Sequence, residues 1–90
     1  MYRPLTTNRF DKDLKRALKR GKNLEKIRSV MASLTAGEVL APKYKDHSLI
    51  GNYAKRRECH IEPDWLLIYK LDAEEMVIIF ERTGSHSDLF

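Results

Sequence analysis

Trp65-Leu66-Leu67-Ile68-Tyr69 is an unbroken apolar run of five residues that favours a strand. Side chains of a strand alternate between its two faces, so such a strand is apolar on both sides and has to be covered on both. A central strand in a sheet meets that demand. The residues just before it, Arg57-Glu58-Cys59-His60-Ile61-Glu62-Pro63-Asp64, place Cys59 and Ile61 on one face of a preceding strand and Glu58, His60 and Glu62 on the other. Pro63 lacks a ladder donor and favours a turn with Asp64, which puts His60 and Asp64 near one rim of the sheet.

Two helices are available as cover. Asn8 is the expected cap of the first, in which Phe10, Leu14, Ala17 and Leu18 form an apolar stripe and Gly21 ends the helix. Leu24, Ile27, Met31 and Leu34, widened by Val30, make the second stripe, which stops at Gly37. Residues 8 to 37 therefore read as a helical hairpin. Tyr2 to Thr7 contain Pro4 and suit a short edge strand. Strands from Trp65 to Leu71 and from Met76 to Arg82, joined at Asp72-Ala73-Glu74, complete an antiparallel meander. The predicted fold is α+β in the order β-α-α-β-β-β, a helical hairpin packed on an antiparallel sheet. Ninety residues support one such domain, 1 to 90, burying about 60 to 65% of the unfolded chain's surface.

Composition narrows the function classes. Apolar runs reach five residues, far below the ~20 that span a bilayer. One cysteine, Cys59, leaves no internal disulfide, and no signal peptide opens the chain, so a soluble cytoplasmic protein is expected. Residues 1 to 45 carry 12 Lys/Arg against 4 Asp/Glu, and residues 46 to 90 carry 5 against 9, which concentrates positive charge on the helical half. Lys15, Arg16 and Lys19, with Arg9, Lys12 and Arg20, fall opposite the first stripe and suit phosphate contact, or else form a solvated face.

The chemistry-bearing residues lie further on. Residues 38 to 54 read as a long loop containing Lys43-Tyr44-Lys45-Asp46-His47, basic and aromatic, and the chain closes on Thr83-Gly84-Ser85-His86-Ser87-Asp88-Leu89-Phe90. His47, His60 and His86 with Asp64, Glu58 and Arg82 offer two chemistries. Zinc hydrolysis is poorly supported, because separations of 13 and 26 residues between the histidines match no ligand spacing. Phosphodiester cleavage in RNA needs a base for the ribose 2′-hydroxyl, an acid for the leaving 5′-oxygen and a cation such as Arg82 or Lys45 for the charged phosphorane. It requires neither metal nor cofactor. Trp65 has two readings, core packing or base stacking. A binding module without catalysis, using the basic face and not His86, is the alternative function.

Pro42-Lys43-Tyr44-Lys45-Asp46-His47 with Leu49 and Gly51, Arg57-Glu58-Cys59-His60 with Pro63-Asp64-Trp65-Leu66-Leu67-Ile68-Tyr69, and Arg82 with Gly84-Ser85-His86-Ser87-Asp88-Leu89-Phe90 together resemble the YafQ group of RelE/ParE toxins. The resemblance covers essentially the whole chain. It implies a RelE-like fold and the toxin of a type II toxin–antitoxin pair, a ribosome-dependent endoribonuclease that acts on mRNA in the 70S ribosome and binds a cognate antitoxin in a hetero-oligomeric complex. It also implies catalytic or substrate-positioning roles for His47, His60, Asp64 and His86, a closing aromatic at Phe90 and a carboxylate at Glu58. His86 takes the place of the group's principal proton-transfer residue.

Overall fold

The computed structural model describes residues 1–90. Strand β1 (Arg3–Thr6) leads into helices α1 (Asn8–Lys19) and α2 (Leu24–Thr35). The connection that follows holds a 3-10 turn at Pro42–Tyr44, the two-residue strand β2 (His47–Ser48) and a second 3-10 turn at Gly51–Tyr53. Strands β3 (Arg57–Glu62), β4 (Trp65–Asp72) and β5 (Val77–Gly84) come next, and one turn of helix, α3 (His86–Leu89), closes the chain. No helix is long and apolar enough to cross a membrane.

The five strands form one sheet in the order β1-β5-β4-β3-β2. β4 is its middle strand and is covered on both sides, as its apolar run requires. Trp65, Leu67 and Tyr69 pack with Phe10, Ile27 and Val30 of the helices, whereas Leu66 and Ile68 on the opposite face pack with Leu89 of α3 and with Leu49 and Tyr53. Cys59 and Ile61 join the helical core, as alternation predicts. Burial pushes the Cys59 thiol up to about 12, aided by the charges of Asp46 and Glu58, so it stays a protonated apolar filler.

Three expectations are amended. The sheet is mixed rather than wholly antiparallel, because β1 lies parallel to β5 with Arg3 opposite Val77 and Thr6 opposite Phe80. All four β1 residues are exposed, and the weak alternation of this segment carries nothing about strand direction. Thr7, not Asn8, caps α1: its hydroxyl accepts from the Phe10 N–H at 3.0 Å and donates to the Glu81 carbonyl at 2.9 Å, so the cap also ties the helix to β5. The α1 stripe is rotated, since Leu18 is 38% exposed whereas Asp13 is buried. The cause lies at the sheet edge. β1 ends opposite Phe80, beyond which the Asp13 carboxylate accepts from the Thr83 N–H at 3.2 Å and from Arg82 Nε at 2.7 Å. A buried carboxylate with those donors replaces the missing strand partner.

Candidate functional site: a histidine row at the end of the sheet

β3 and β2 set the first part of the site. His47 stands opposite Glu58 across the β2/β3 pair, and alternation along β3 puts Glu58 and His60 on the face away from the helices. The Glu58 carboxylate, only 5% exposed, has one oxygen 3.2 Å from His60 Nε2 and 3.6 Å from His47 Nε2. His47 Nδ1 donates to the Lys45 carbonyl at 2.6 Å, which leaves its Nε2 turned toward Glu58. The loop holding His47 is itself anchored: the Tyr69 hydroxyl donates to Asp46, and Arg57 lies 3.4 Å from the same carboxylate. Burial, then hydrogen bonding to Asp46, holds the Tyr69 phenol well above its ordinary range.

α3 supplies the second part. Ser85 caps this helix and Asp88 returns a bond to the Ser85 N–H, a capping box whose Ser-x-x-Asp spacing is a sequence signal in its own right, though a reading centred on the histidines passes over it. Gly84 makes the box possible, since a Cβ at that position would stand 2.9 Å from the Asp88 side chain. Arg20 at the end of α1 grips Asp88 at 2.7 Å. That guanidinium, then the Ser85 N–H, holds the Asp88 carboxyl well below the usual carboxylate range. His86 is thereby delivered to Asp64 in the β3/β4 turn, which accepts from the His86 N–H at 2.8 Å and from its Nδ1 at 2.6 Å. The backbone N–H first, then the imidazole, keeps Asp64 below its ordinary range and ionised. With Nδ1–H committed to a carboxylate, His86 Nε2 is the nitrogen free to exchange a proton.

The three rings lie in a row: His47 and His60 centroids are 6.3 Å apart and those of His60 and His86 5.7 Å. The last two border an open cleft of about 830 Å³ whose walls are the Lys43–Lys45 turn and the start of α2. Its lining includes Lys43 and Lys45, as the loop's composition suggested, together with Asn23 and Lys26, to which no sequence motif pointed.

Other expected residues stand elsewhere. Trp65 is 1% exposed and donates to the Thr83 hydroxyl at 2.9 Å, so it packs in the core and has no ring face for a base. Arg82 lies opposite Ile68 with its guanidinium held by Asp13 and borders a separate groove with Arg9 and Arg56, away from the histidines. Its charge is thus already countered. Arg16 is likewise engaged, 3.1 Å from Asp13 and 3.8 Å from Asp88, while Lys15 and Lys19 are exposed on α1 and border neither groove. Phe90 is 63% exposed and meets Tyr53 edge-on at 5.4 Å.

With this arrangement established, comparison with known proteins is decisive. Residues 2–90 match the family described as bacterial toxin of type II toxin-antitoxin system, YafQ. The chain belongs to the YafQ toxin family. A relative from Escherichia coli strain K12, mRNA interferase toxin YafQ, is 42% identical over 85 residues, 93% of this chain and 90% of that protein. Among solved structures, a metal-bound toxin from Helicobacter pylori superposes with a TM-score of 0.94 at 44% identity, each chain covered in full. YafQ in the E. coli DinJ-YafQ complex superposes at 0.90 with 40% identity, covering 100% of this chain and 99% of that one. The α+β fold expected from the residues, and its RelE-like form implied by the resemblance, are therefore shown. The H. pylori protein is described with a metal; in this chain His47 and His60 both approach Glu58, and that cluster does not have an arrangement that could hold a metal ion.

Proposed function

We propose that this chain is the toxin of a type II toxin–antitoxin pair and an mRNA interferase, cutting mRNA in the ribosomal A site by acid–base chemistry without a metal. The observation that carries the reading is the Asp64-oriented imidazole of His86 facing His60 across 5.7 Å beside a lysine-walled cleft. One imidazole takes the proton of a ribose 2′-hydroxyl, the freed oxygen attacks phosphorus, and the other imidazole protonates the departing 5′-oxygen, leaving a 2′,3′-cyclic phosphate. Asp64 fixes the His86 tautomer, Glu58 holds His60, and His47 completes the row. Lys45, which lines the cleft, is our choice of cation for the charge on the phosphorane, since Arg82 is already paired with Asp13. Phe90 offers an exposed ring to a base. The E. coli relative is named an mRNA interferase and YafQ crystallises with DinJ, which supports a cognate antitoxin as partner here and the cytoplasm, where ribosomes work, as the place of action.

Ribosomes programmed with a defined mRNA provide the test. The chain should cut the message in the A site, leave the same mRNA intact off the ribosome, and keep its rate after chelator treatment of the toxin at constant magnesium. Equal cutting of free mRNA would overturn ribosome dependence. A rate lost on stripping and restored by zinc would overturn the metal-free step.

A further inference from the structure

The cleft beside the histidines extends well past the groups that proton transfer needs. One wall is the 3-10 turn that Pro42 opens and that Lys45 ends in a left-handed conformation, φ 49°; the other is Asn23, which caps α2, with Lys26 and Ser29 of its first two turns. The charges in it are unevenly answered. Glu62 on the floor is held by Lys22 at 2.8 Å and Lys26 at 3.0 Å, and Glu25 lies 3.3 Å from Arg28. Both carboxylates of the lining are therefore matched by cations, while no carboxylate reaches Lys43 or Lys45; the Lys43 ammonium rests over the Tyr44 ring at 5.1 Å. On the α2 wall, Asn23 Oδ1 is taken by the Glu25 N–H at 2.9 Å, which leaves its amide hydrogens free to donate. Two unmatched ammonium groups and a polar wall, continuous with the proton-transfer pair, suit an extended polyanion and offer an apolar ligand little.

We infer that this cleft is a subsite for single-stranded RNA next to the cut bond, in which Lys43 binds the phosphate neighbouring the one attacked and Asn23 faces that nucleotide. The inference rests on the RNA-cleaving reading. Lys45, beside His47, serves the reacting phosphate; Lys43, two residues back along the turn, serves the next one. Lys43 is exposed and belongs to no ion pair, so its replacement leaves the fold untouched.

The contact is tested by pairing a protein change with a substrate change. Messages carrying one neutral methylphosphonate at each phosphate flanking the cut site are placed on ribosomes, and single-turnover cleavage is measured for wild type and Lys43→Gln. At one flanking phosphate, neutralisation should slow wild type about tenfold or more, Lys43→Gln should slow the unmodified message by the same factor, and the two together should slow it no further. Lys43→Arg should keep most of the wild-type rate. Effects that multiply at every position, or a Lys43→Gln rate equal to wild type, would overturn the subsite. Failure of wild type to cut the unmodified message would overturn the reading beneath it as well.

Discussion

At the scale of single residues, the site works through hydrogen-bond commitments that decide which ring nitrogen is free. Asp64 accepts from both the backbone and the ring of His86, so Asp64→Asn should leave the protein folded yet lower cleavage by roughly 10² to 10⁴-fold, because an amide no longer fixes the tautomer. Single-turnover rates with a ¹⁵N spectrum of His86 check this; an unchanged rate with a changed tautomer would contradict it. Trp65 supplies the opposite case. Its ring is fully buried, so Trp65→Ala should cost about 3 to 5 kcal/mol of stability, read by denaturant unfolding. Trp65→Leu should keep the ribosome affinity that loss of a base-stacking ring would lower. Strand alternation by itself puts Glu58 and His60 on one face, and the Gly-Ser-His tail singles out His86. The burial of Trp65 and the pairing of Arg82 with Asp13 are not legible, because sequence gives residue type and spacing but not whether a ring is covered or a guanidinium already paired.

At the scale of elements, α3 is too short to hold itself, and its position depends on what surrounds it. Leu89 packs on Leu66 and Ile68, and Asp88 is held by Arg20. Gly84→Ala would drive a Cβ into Asp88, shift the helix and move His86; the expected result is a lower kcat with ribosome binding preserved, measured by separate binding and cleavage assays. Arg20→Ala should have the same signature. Because the folded-state Asp88 pKa is depressed, the stability difference between wild type and Arg20→Ala should be fully present above about pH 4, the unfolded carboxylate's pKa, and fade as pH falls toward the folded value. Denaturant midpoints across that range check the sign; a difference that grew on acidification would contradict it. Both helices and the β3-β4-β5 meander are legible from periodicity. The direction of β1, the two-residue β2 and the one-turn α3 are not, since an edge strand's orientation and elements this short are set by partners distant in sequence.

At the scale of the molecule, positive charge is concentrated on the helical half, and two of the arginines there are occupied with holding α3 in place. Arg16 and Arg20 hold Asp88, while Arg9, Lys12, Lys15 and Lys19 of α1 are exposed and in no ion pair. Replacing Lys15 and Lys19 with Gln should weaken ribosome binding and lower the logarithmic salt slope by about 0.7 to 0.9 per lost phosphate contact, with the rate of cleavage once bound unchanged. An unchanged slope would make this a solvated face and remove α1 from the account of binding. The central claim concerns the tail itself. Primer extension on mRNA in programmed ribosomes, with wild type and His86→Ala at equal occupancy, tests it most directly: the account predicts an A-site cut that falls by ~10² to 10⁴-fold in the variant. Equal cutting by the two proteins would contradict it.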